Sequence, residues 1–318
     1  MRILLITNMF PHEGSSYYGI FVKEQMESVM RYHPDIEYDV VYIDGKSSKL
    51  NYLSTIPKLI KLTNSGRYDL VHIHYGLSGL FSLFMHKIKT PIVVTLHGGD
   101  IQIAQNKKVQ VWISKHVLRK AKYAFTLNED MKNLVKKYCA NTVLCPCSVN
   151  TELFNDTCDH SSNKSIKRIV FPNDRKRVVK NFPLFEQVLA ILKERYGINT
   201  EFTEIKGMSR EEVCKLLNNS DLLLMTSISE GSPQVVKEAM ACNLPVVTTP
   251  VGDVKYLLKD VDNCIVSDTH DANELAECAA QILKRGNVRT NGREQIFRLG
   301  LDDKSIADKI YNIYKTLA

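Results

Sequence analysis

Two glutamates, Glu230 and Glu238, stand eight residues apart in a setting that suits ligand binding. An apolar run, Leu222–Met225, ends in the loop that carries Glu230, and Ser232-Pro233 predicts the start of the helix that carries Glu238. Because an α-helix has about 3.6 residues per turn, the two carboxylates fall roughly on one face. Carboxylates bind hydroxyl groups, and the free N–H groups of a helix N-terminus bind phosphate. The segment therefore predicts a site for a nucleotide sugar.

A second group with chemical potential is a basic loop that contains Arg175, Arg177 and Lys180. It follows a predicted strand, Arg168–Phe171, and precedes a predicted helix, Phe182–Tyr196. Arginine offers a planar fork for phosphate oxygens, and lysine offers a mobile point charge. The loop is thus a candidate phosphate site, and a solvated basic turn is the alternative.

A third candidate is His97, which follows the predicted strand Ile92–Leu96 directly and precedes Gly98 and Gly99. Two glycines after a strand end allow the backbone to approach a ligand closely. We therefore expect His97 to face a ligand, although a single histidine is also common as a structural residue. Asp100 either orients a substrate or caps the next segment.

The loop after the first strand is a fourth candidate. It runs from Asn8 to Gly19 and contains His12 and Gly14. Its glycines do not form a tight pair, so a plain surface loop is the alternative interpretation.

Apolar runs alternate with stretches of helical spacing along the whole chain, which is typical of a doubly wound parallel α/β sheet. The polar segment Asn155–Ser165 lacks periodicity and predicts a linker. Two Rossmann-like halves would therefore face each other across a cleft. In the second half, Ser209 and Glu212 predict a capping box at a helix start.

In the first half, strands are predicted at Ile3–Thr7, Tyr38–Ile43, Leu70–His74, Ile92–Leu96, Ala124–Leu127 and Thr142–Leu144, and helices at Gly19–Tyr32, Thr55–Thr63, Gly76–Ile88, Val109–Lys120 and Asp130–Tyr138.

Several classes of function are disfavoured by the sequence. It contains no Gly-x-Gly-x-x-Gly fingerprint, which argues against a dinucleotide enzyme, and no Asp-x-Asp at a strand end or metal-ligand spacing, so we expect no metal cofactor. No apolar run approaches the roughly 20 residues of a membrane span. The eight scattered cysteines suggest reduced thiols in a cytoplasmic protein.

The charge is uneven along the chain. Residues 1–150 hold 19 Lys and Arg against 11 Asp and Glu, whereas the remainder holds 23 against 24. Basic stretches at Ile56–Leu62 and Lys115–Tyr123 could lie against an anionic membrane surface, and ordinary helices with solvated lysines are the alternative. We expect no nucleic-acid partner.

The segment from Glu230 to Val247, followed by Val251-Gly252-Asp253, resembles the E-x7-E signature of retaining GT-B glycosyltransferases of family 4. The resemblance extends over most of the chain. It implies that Glu230 contacts hydroxyls of the donor sugar and that Glu238 binds the ribose of the nucleotide. It also places Ser232, Pro233 and Gln234 at the nucleotide site.

The resemblance gives roles to the other candidates as well. Arg175 and Lys180 would hold the donor diphosphate and the charge that develops on it, with Arg177 as a rival for the arginine role. His97 would lie beside the donor sugar near the reaction centre. Gly14 would belong to a loop that approaches the donor phosphates and the acceptor.

The domains implied are residues 1–154, which would bind the acceptor, and residues 166–302, which would bind the donor, with a C-terminal helix at about 303–318 that packs on the first domain. The implied reaction transfers a hexosyl group from a nucleotide diphosphate-sugar to a hydroxyl of a glycan or lipid-linked acceptor, with retention and without a metal. A glycine-bearing strand–loop of the family is missing between Glu201 and Ser209, so the sequence does not indicate which base the donor nucleotide carries. The alternatives are a sugar-nucleotide epimerase or hydrolase, and a non-catalytic binding subunit.

Overall fold

The computed structural model describes residues 1–15, 17–101, 108–157 and 165–318. It divides into a first unit, Met1–Ser148 with Asp303–Ala318, and a second unit, Val149–Asp302. The middle of the predicted linker, residues 158–164, lies outside the described residues.

The first unit is built on a sheet of six parallel strands in the order β2-β1-β3-β4-β5-β6. Parallel strands that carry helices on both faces are buried on both sides, which explains their nearly continuous apolar sequences. The order reverses between β1 and β3, where side chains at the carboxyl ends of the strands can meet a ligand. The strands are β1 (Arg2–Thr7), β2 (Glu37–Tyr42), β3 (Leu70–His74), β4 (Ile92–Thr95), β5 (Tyr123–Thr126) and β6 (Thr142–Leu144).

Helices cover both faces of this sheet. The helices are α1 (Ile20–Tyr32), α2 (Asn51–Ser54), α3 (Ile56–Thr63), a 3₁₀ helix (Gly76–Phe84), α4 (Lys108–Leu118), α5 (Glu129–Val135) and α12 (Asp303–Lys315). α12 packs against α1 on one face, in a cluster that includes Ile3, Leu70 and Tyr314. The opposite face carries α3, the 3₁₀ helix and α4, and its cluster includes Leu4 and Val71.

The second unit repeats this plan with five parallel strands in the order β11-β10-β9-β7-β8. The order reverses between β7 and β9, which pair with each other directly. The strands are β7 (Lys167–Phe171), β8 (Thr200–Glu204), β9 (Leu222–Met225), β10 (Val246–Thr248) and β11 (Cys264–Val266).

The helices of the second unit are α6 (Phe182–Tyr196), α7 (Arg210–Asn218), α8 (Gln234–Ala241), α9 (Val254–Leu257), α10 (Ala272–Leu283) and α11 (Gly292–Arg298), with a 3₁₀ helix at Val178–Lys180. α6 and α10 share one cluster with Ile169 and Leu224. α7, α8 and α11 share the other with Val170 and Met225. The capping box of Ser209 and Glu212 begins α7.

The limit between the units differs from the predicted end of the first domain at residue 154. The backbone of Val149 donates a hydrogen bond to the carbonyl of Leu301, and Phe154 is fully buried in the core of the second unit. Arg293 donates to the carbonyl oxygens of Thr151 and Phe154, both at 2.8 Å. These contacts hold residues 149–154 in the second unit.

Three further observations concern the whole chain. No helix among the described residues is long and apolar enough to cross a membrane. The seven cysteines within the described ranges are all free thiols. Over those same ranges, no three His, Cys, Asp or Glu side chains converge into a group that could hold a metal ion.

Candidate active site

The carboxyl ends of β7 and β9 bring Lys180 and Glu230 together. Nζ of Lys180 lies 2.6 Å from Oε1 of Glu230, and the two side chains are 8% and 16% exposed. The pair stands at the point where the strand order of the second unit reverses, which is where open parallel sheets bind their ligands. A cation and a carboxylate in one place can serve a phosphate and a sugar hydroxyl at the same time.

The two loops that carry this pair are tied to each other by backbone and side-chain bonds. The hydroxyl of Thr226 donates to the carbonyl oxygens of Lys180 and Asn181, both at 3.1 Å. The N–H of Ile228 donates to the carbonyl of Val179 at 2.9 Å. The position of Lys180 relative to Glu230 is therefore fixed by the main chain as well as by the ion pair.

Gly252 packs closely against the backbone of the loop that carries Glu230. Its φ is +57°, and a Cβ built on it would lie 2.7 Å from the carbonyl oxygen of Gly231 and 3.0 Å from that of Glu230. Both the backbone conformation and the contact favour glycine at this position. The sequence Val251-Gly252-Asp253 thus positions the loop that precedes α8.

α8 begins at Gln234, two residues after the predicted start. Pro233 stands at the N-cap with ψ 116°, an extended conformation, so it precedes the first turn instead of lying within it. Ser232 also lies outside the helix. Glu238 is on α8 and is 3% exposed.

Glu238 is paired with a residue that the sequence analysis missed. Nη2 of Arg210 donates to Oε1 of Glu238 at 2.7 Å, and the Arg210 guanidinium lies 4.7 Å from the ring centre of Phe154. Arg210 is the first residue of α7, directly after the capping residue Ser209. The capping box located this helix start, and the basic residue beside it was the available signal.

The expectation that a glycine-bearing loop is missing between Glu201 and Ser209 is wrong. Gly207 lies in the loop that joins β8 to α7 and has a φ of +66°. The short loop brings Arg210 to the carboxyl edge of the sheet.

Buried polar groups lie in the segments around α8. Oγ of Ser227 is buried and has no hydrogen-bond partner within the described part of the chain. Burial raises the pKa of the Asp253 carboxyl, and the charge of Lys237 and a hydrogen bond with the Ser232 side chain partly offset this. An unpaired buried polar atom is costly in a folded protein, so Ser227 favours a ligand that completes its hydrogen bond.

The two arginines of the basic loop make other contacts. Nε of Arg175 lies 3.3 Å from Oε2 of Glu204, and its guanidinium lies over the rings of Phe182 and Phe202. Hydrogen bonds from Arg175 hold the pKa of the Glu204 carboxyl below its usual value. Arg177 is exposed, and its Nη1 donates to the side-chain oxygen of Asn173 at 3.3 Å. Neither arginine joins the Lys180–Glu230 pair.

In the first unit, His97 lies in a cluster of histidines. Its Nε2 is 3.2 Å from Nδ1 of His74, the last residue of β3, and the ring of Phe21 is 5.1 Å away. Burial lowers the pKa of His97 to about 3, so the ring is neutral at physiological pH.

Asp100 acts here as a cap. Its carboxylate accepts hydrogen bonds from the backbone N–H groups of His97 and Gly76, both at 3.0 Å, and the residue is fully buried. Burial raises the pKa of its carboxyl to about 6. Of the two predicted alternatives, the geometry favours the capping role, which holds the turn that carries His97.

The two glycines of the loop that follows β1 differ in how closely they are packed. Gly14 has a φ of +82° and open space around it, whereas a Cβ on Gly19 would lie 2.3 Å from the backbone of Met9. The ring of His12 stacks on Tyr42 at 5.0 Å. Gly19 is therefore the glycine that the packing of this loop requires, and Gly14 stays a predicted ligand contact.

Comparison with known proteins gives a consistent result for both units. Residues 22–139 match the glycosyl transferase 4-like domain, and residues 185–297 match the glycosyl transferases group 1. The chain is a GT-B glycosyltransferase. An uncharacterized glycosyltransferase of Methanocaldococcus jannaschii is 23% identical to it over 92% of this chain and 93% of its own. The N-acetyl-alpha-D-glucosaminyl L-malate synthase of Bacillus anthracis is 22% identical over 83% and 78%.

Solved structures share the GT-B fold of this glycosyltransferase. Sucrose-phosphate synthase from Thermosynechococcus elongatus aligns with a TM-score of 0.80 over 99% of this chain and 98% of its own, at 18% identity. Anabaena HepE in complex with UDP aligns with a TM-score of 0.75 over 100% of both chains, at 14% identity. At these identities the likeness concerns the fold.

Proposed function

We propose that this glycosyltransferase moves a sugar from a nucleotide diphosphate-sugar to a hydroxyl of a glycan or lipid-linked acceptor, with retention of configuration and without a metal ion. The donor would bind the second unit, and the acceptor mainly the first. The observation that carries the proposal is the buried Lys180–Glu230 pair at the reversal of the strand order. A structural neighbour, Anabaena HepE, has been solved with UDP-glucose, which supports UDP-sugars as the first donors to test.

The candidate residues of the second unit each have a proposed part in holding the donor. Lys180 would exchange part of its bond to Glu230 for the diphosphate, and Glu230 would bind hydroxyls of the sugar. Glu238 would hold the ribose through the oxygen that Arg210 does not use. Ser232 and Gln234 would bind the phosphates near the start of α8, where backbone N–H groups point outward.

The negative charge that develops on the leaving diphosphate can be stabilised by protein groups. Lys180 and the N-terminus of α8 supply positive potential at one edge of the sheet. Arg175 would join them only after leaving Glu204, and Arg177 stays the rival for that part. The absence of a metal is proposed on this basis and is open to a direct test with EDTA.

Retention is proposed from the family resemblance. Glu230 is held by Lys180, which suits hydroxyl binding more than attack on the sugar. In the proposed front-face displacement, the leaving phosphate oxygen accepts the proton of the acceptor hydroxyl while the new glycosidic bond forms on the same face.

The first experiment is a thermal-shift screen of the full chain against UDP, GDP, ADP and their common sugars. A ligand that binds the folded state raises the melting temperature, and the stabilisation grows with the logarithm of its concentration once that exceeds Kd. Transfer to glycan and lipid-linked acceptors, followed by NMR of the anomeric proton of the product, then gives the stereochemistry. Loss of transfer in excess EDTA would overturn metal independence, and an inverted product would overturn retention.

The same assay separates the rival functions. Rapid turnover or epimerisation of the donor without an acceptor would favour an epimerase or hydrolase. Failure of every nucleotide and nucleotide sugar to bind would favour a non-catalytic subunit.

Association with an anionic membrane surface is a further part of the proposal. The segment 46–122 holds 13 Lys and Arg against two acidic residues, of which Asp100 is buried. The helical layer that this segment forms exposes large apolar side chains: Leu50, Leu53, Phe84, Val109 and Trp112. Basic and apolar side chains together suit the interface of an anionic bilayer.

A further inference from the structure

The candidate residue His97 is the outermost of three histidines that stand in a row at one end of the first unit's sheet. His72 and His74 lie on the same face of β3 because they are two residues apart, and their ring centres are 4.4 Å apart. The rings of His74 and His97 stack at 5.4 Å with an interplanar angle of 25°. Both His72 and His74 are 2% exposed.

Both ring nitrogens of the inner histidine have protein partners. Nδ1 of His72 lies 2.6 Å from the hydroxyl of Tyr314, and Nε2 lies 2.7 Å from Oγ1 of Thr95. The Tyr314 hydroxyl also lies 3.1 Å from the hydroxyl of Tyr38.

The outer pair shares a single hydrogen bond. Nδ1 of His74 and Nε2 of His97 are 3.2 Å apart, and burial lowers the pKa values of both rings far enough to keep them neutral. Either ring could therefore supply the proton. Nδ1 makes the one hydrogen bond printed for the His74 side chain within the described ranges, so a proton on Nδ1 has a protein acceptor there and a proton on Nε2 has none. The proton of His74 thus belongs on Nδ1.

We propose that His74 is a positioning residue, which donates from Nδ1 to Nε2 of His97 and so holds His97 with its own proton on Nδ1. His97 then offers an N–H donor at Nδ1 to a bound ligand, and it does not act as a base. The effect of His74 on the reaction rests on the proposed function, whereas the tautomer of His97 does not.

The test compares two substitutions of similar size. In His74→Asn, the amide nitrogen falls near the place of Nδ1 and can still donate to His97. In His74→Gln, the amide falls near the place of Nε2 and cannot. His72→Gln is the matched control, because His72 is equally buried on the same strand and has no hydrogen bond to His97.

The readout is the tautomer of His97 by long-range ¹H–¹⁵N NMR of protein labelled with ¹⁵N-histidine. We expect Nδ1–H at His97 in the wild type, in His74→Asn and in His72→Gln, and a mixture with Nε2–H in His74→Gln. A proton on Nε2 of His97 in the wild type, or a His74→Gln spectrum equal to that of the wild type, would overturn the proposal.

Kinetics give a second readout once a donor is known. We expect kcat to fall about tenfold in His74→Gln with KM for the donor nearly unchanged, and to return to within threefold of the wild type in His74→Asn, because one neutral hydrogen bond is at stake. Equal losses in His74→Asn and His74→Gln would show that His74 is merely structural. If no transfer is found at all, the proposed function fails and the NMR result still decides the role of His74.

Discussion

Arg210 and Glu238 meet at 2.7 Å across the gap between α7 and α8, and their side chains are 18% and 4% exposed. The pair commits one carboxylate oxygen of Glu238 and sets the direction of the other. Phe154 supports the guanidinium from one side at 4.7 Å. A residue 28 positions earlier in the chain thereby orients the carboxylate proposed to bind the ribose.

Replacement of Arg210 by alanine should weaken nucleotide binding about tenfold, because Glu238 loses a charge-assisted hydrogen bond of about 1.5–3 kcal/mol that orients it. Calorimetry with UDP measures the change. Lys215→Ala is the control, since Lys215 is exposed on the same helix. Equal affinity in Arg210→Ala and the wild type would contradict this role.

Single substitutions in the Lys180–Glu230 pair should destabilise the protein more than the double substitution does. Either Lys180→Met or Glu230→Leu leaves one charge nearly buried without its partner, which costs about 3 kcal/mol in the free energy of unfolding. The double substitution removes both charges, so the double variant should have a larger free energy of unfolding than either single variant. Urea unfolding of the four proteins tests this.

The same single variants should lose at least about 100-fold in transfer, which asks for about 2.7 kcal/mol of transition-state stabilisation. Lys255→Ala, at an exposed position of the same unit, is the control. Full activity in Lys180→Met or Glu230→Leu would remove both residues from the proposed site.

Gly252→Ala and Gly197→Ala form a matched pair. Both glycines have positive φ, +57° and +67°, so the backbone conformation alone should cost each alanine variant about 1 kcal/mol in stability. Only the Cβ at Gly252 would press on the loop of Glu230, because nothing lies within 4 Å of a Cβ at Gly197. We therefore expect Gly252→Ala alone to reduce transfer, by about tenfold or more. Equal activity in the two variants would contradict the supporting role of Gly252.

The buried histidines should make the protein sensitive to acid. Burial lowers the pKa of His72 from 6.5 to about 3, so the unfolded state binds a proton between these pH values and the folded state does not. The stability that His72 allows is complete above pH 6.5 and is lost as the pH falls towards 3. At pH 5.5 the loss is about 1.4 kcal/mol relative to pH 7.5.

Melting temperatures of the wild type and His72→Asn at the two pH values measure this contribution. The variant should show the smaller decrease. Asp100 acts in the opposite direction between pH 3.8 and about 6, since burial raises its pKa and the folded state holds the proton. It is present in both proteins, so its effect cancels in the comparison. A decrease of the same size in both would contradict the assignment to His72.

The helical layer of segment 46–122 should bind vesicles that contain about one third phosphatidylglycerol, and should not bind vesicles of phosphatidylcholine alone. Trp112→Ala with Phe84→Ala, or Lys58→Glu with Lys61→Glu, should reduce flotation with anionic vesicles severalfold. Lys193→Glu with Lys215→Glu, at two exposed positions of the second unit, is the charge-matched control. Wild-type protein that stays unbound at low salt would end this part of the proposal.

The sequence alone predicted elements with strong local signals. β3, β9 and α6 begin and end at the predicted residues, because each apolar run is bounded by polar or glycine-containing segments. β11 and α11 were not predicted, since Cys264–Val266 is short and Gly292–Arg298 begins with a glycine. The apolar residues in these segments are too few to show the hydrophobic period of a strand or of a helix.

The site was predictable where spacing along the chain decides it. Glu230 and Lys180 were found from their positions after apolar strands, but their contact depends on the pairing of β7 with β9, a long-range choice. The pair of Arg210 with Glu238 and that of His74 with His97 depend on strand order in the same way. The placement of Arg175 on Glu204 depends on the pairing of β7 with β8, which no local pattern encodes.

The position of α12 has a consequence for synthesis on the ribosome. Tyr314 and Ile310 complete the cluster that covers Ile3 and Phe125, yet they are translated after the whole of the second unit. The part of this face of the first sheet that α12 covers therefore stays open while about half of the chain is still being made. Because uncovered apolar surface promotes aggregation, this interval is when the nascent chain depends most on chaperones.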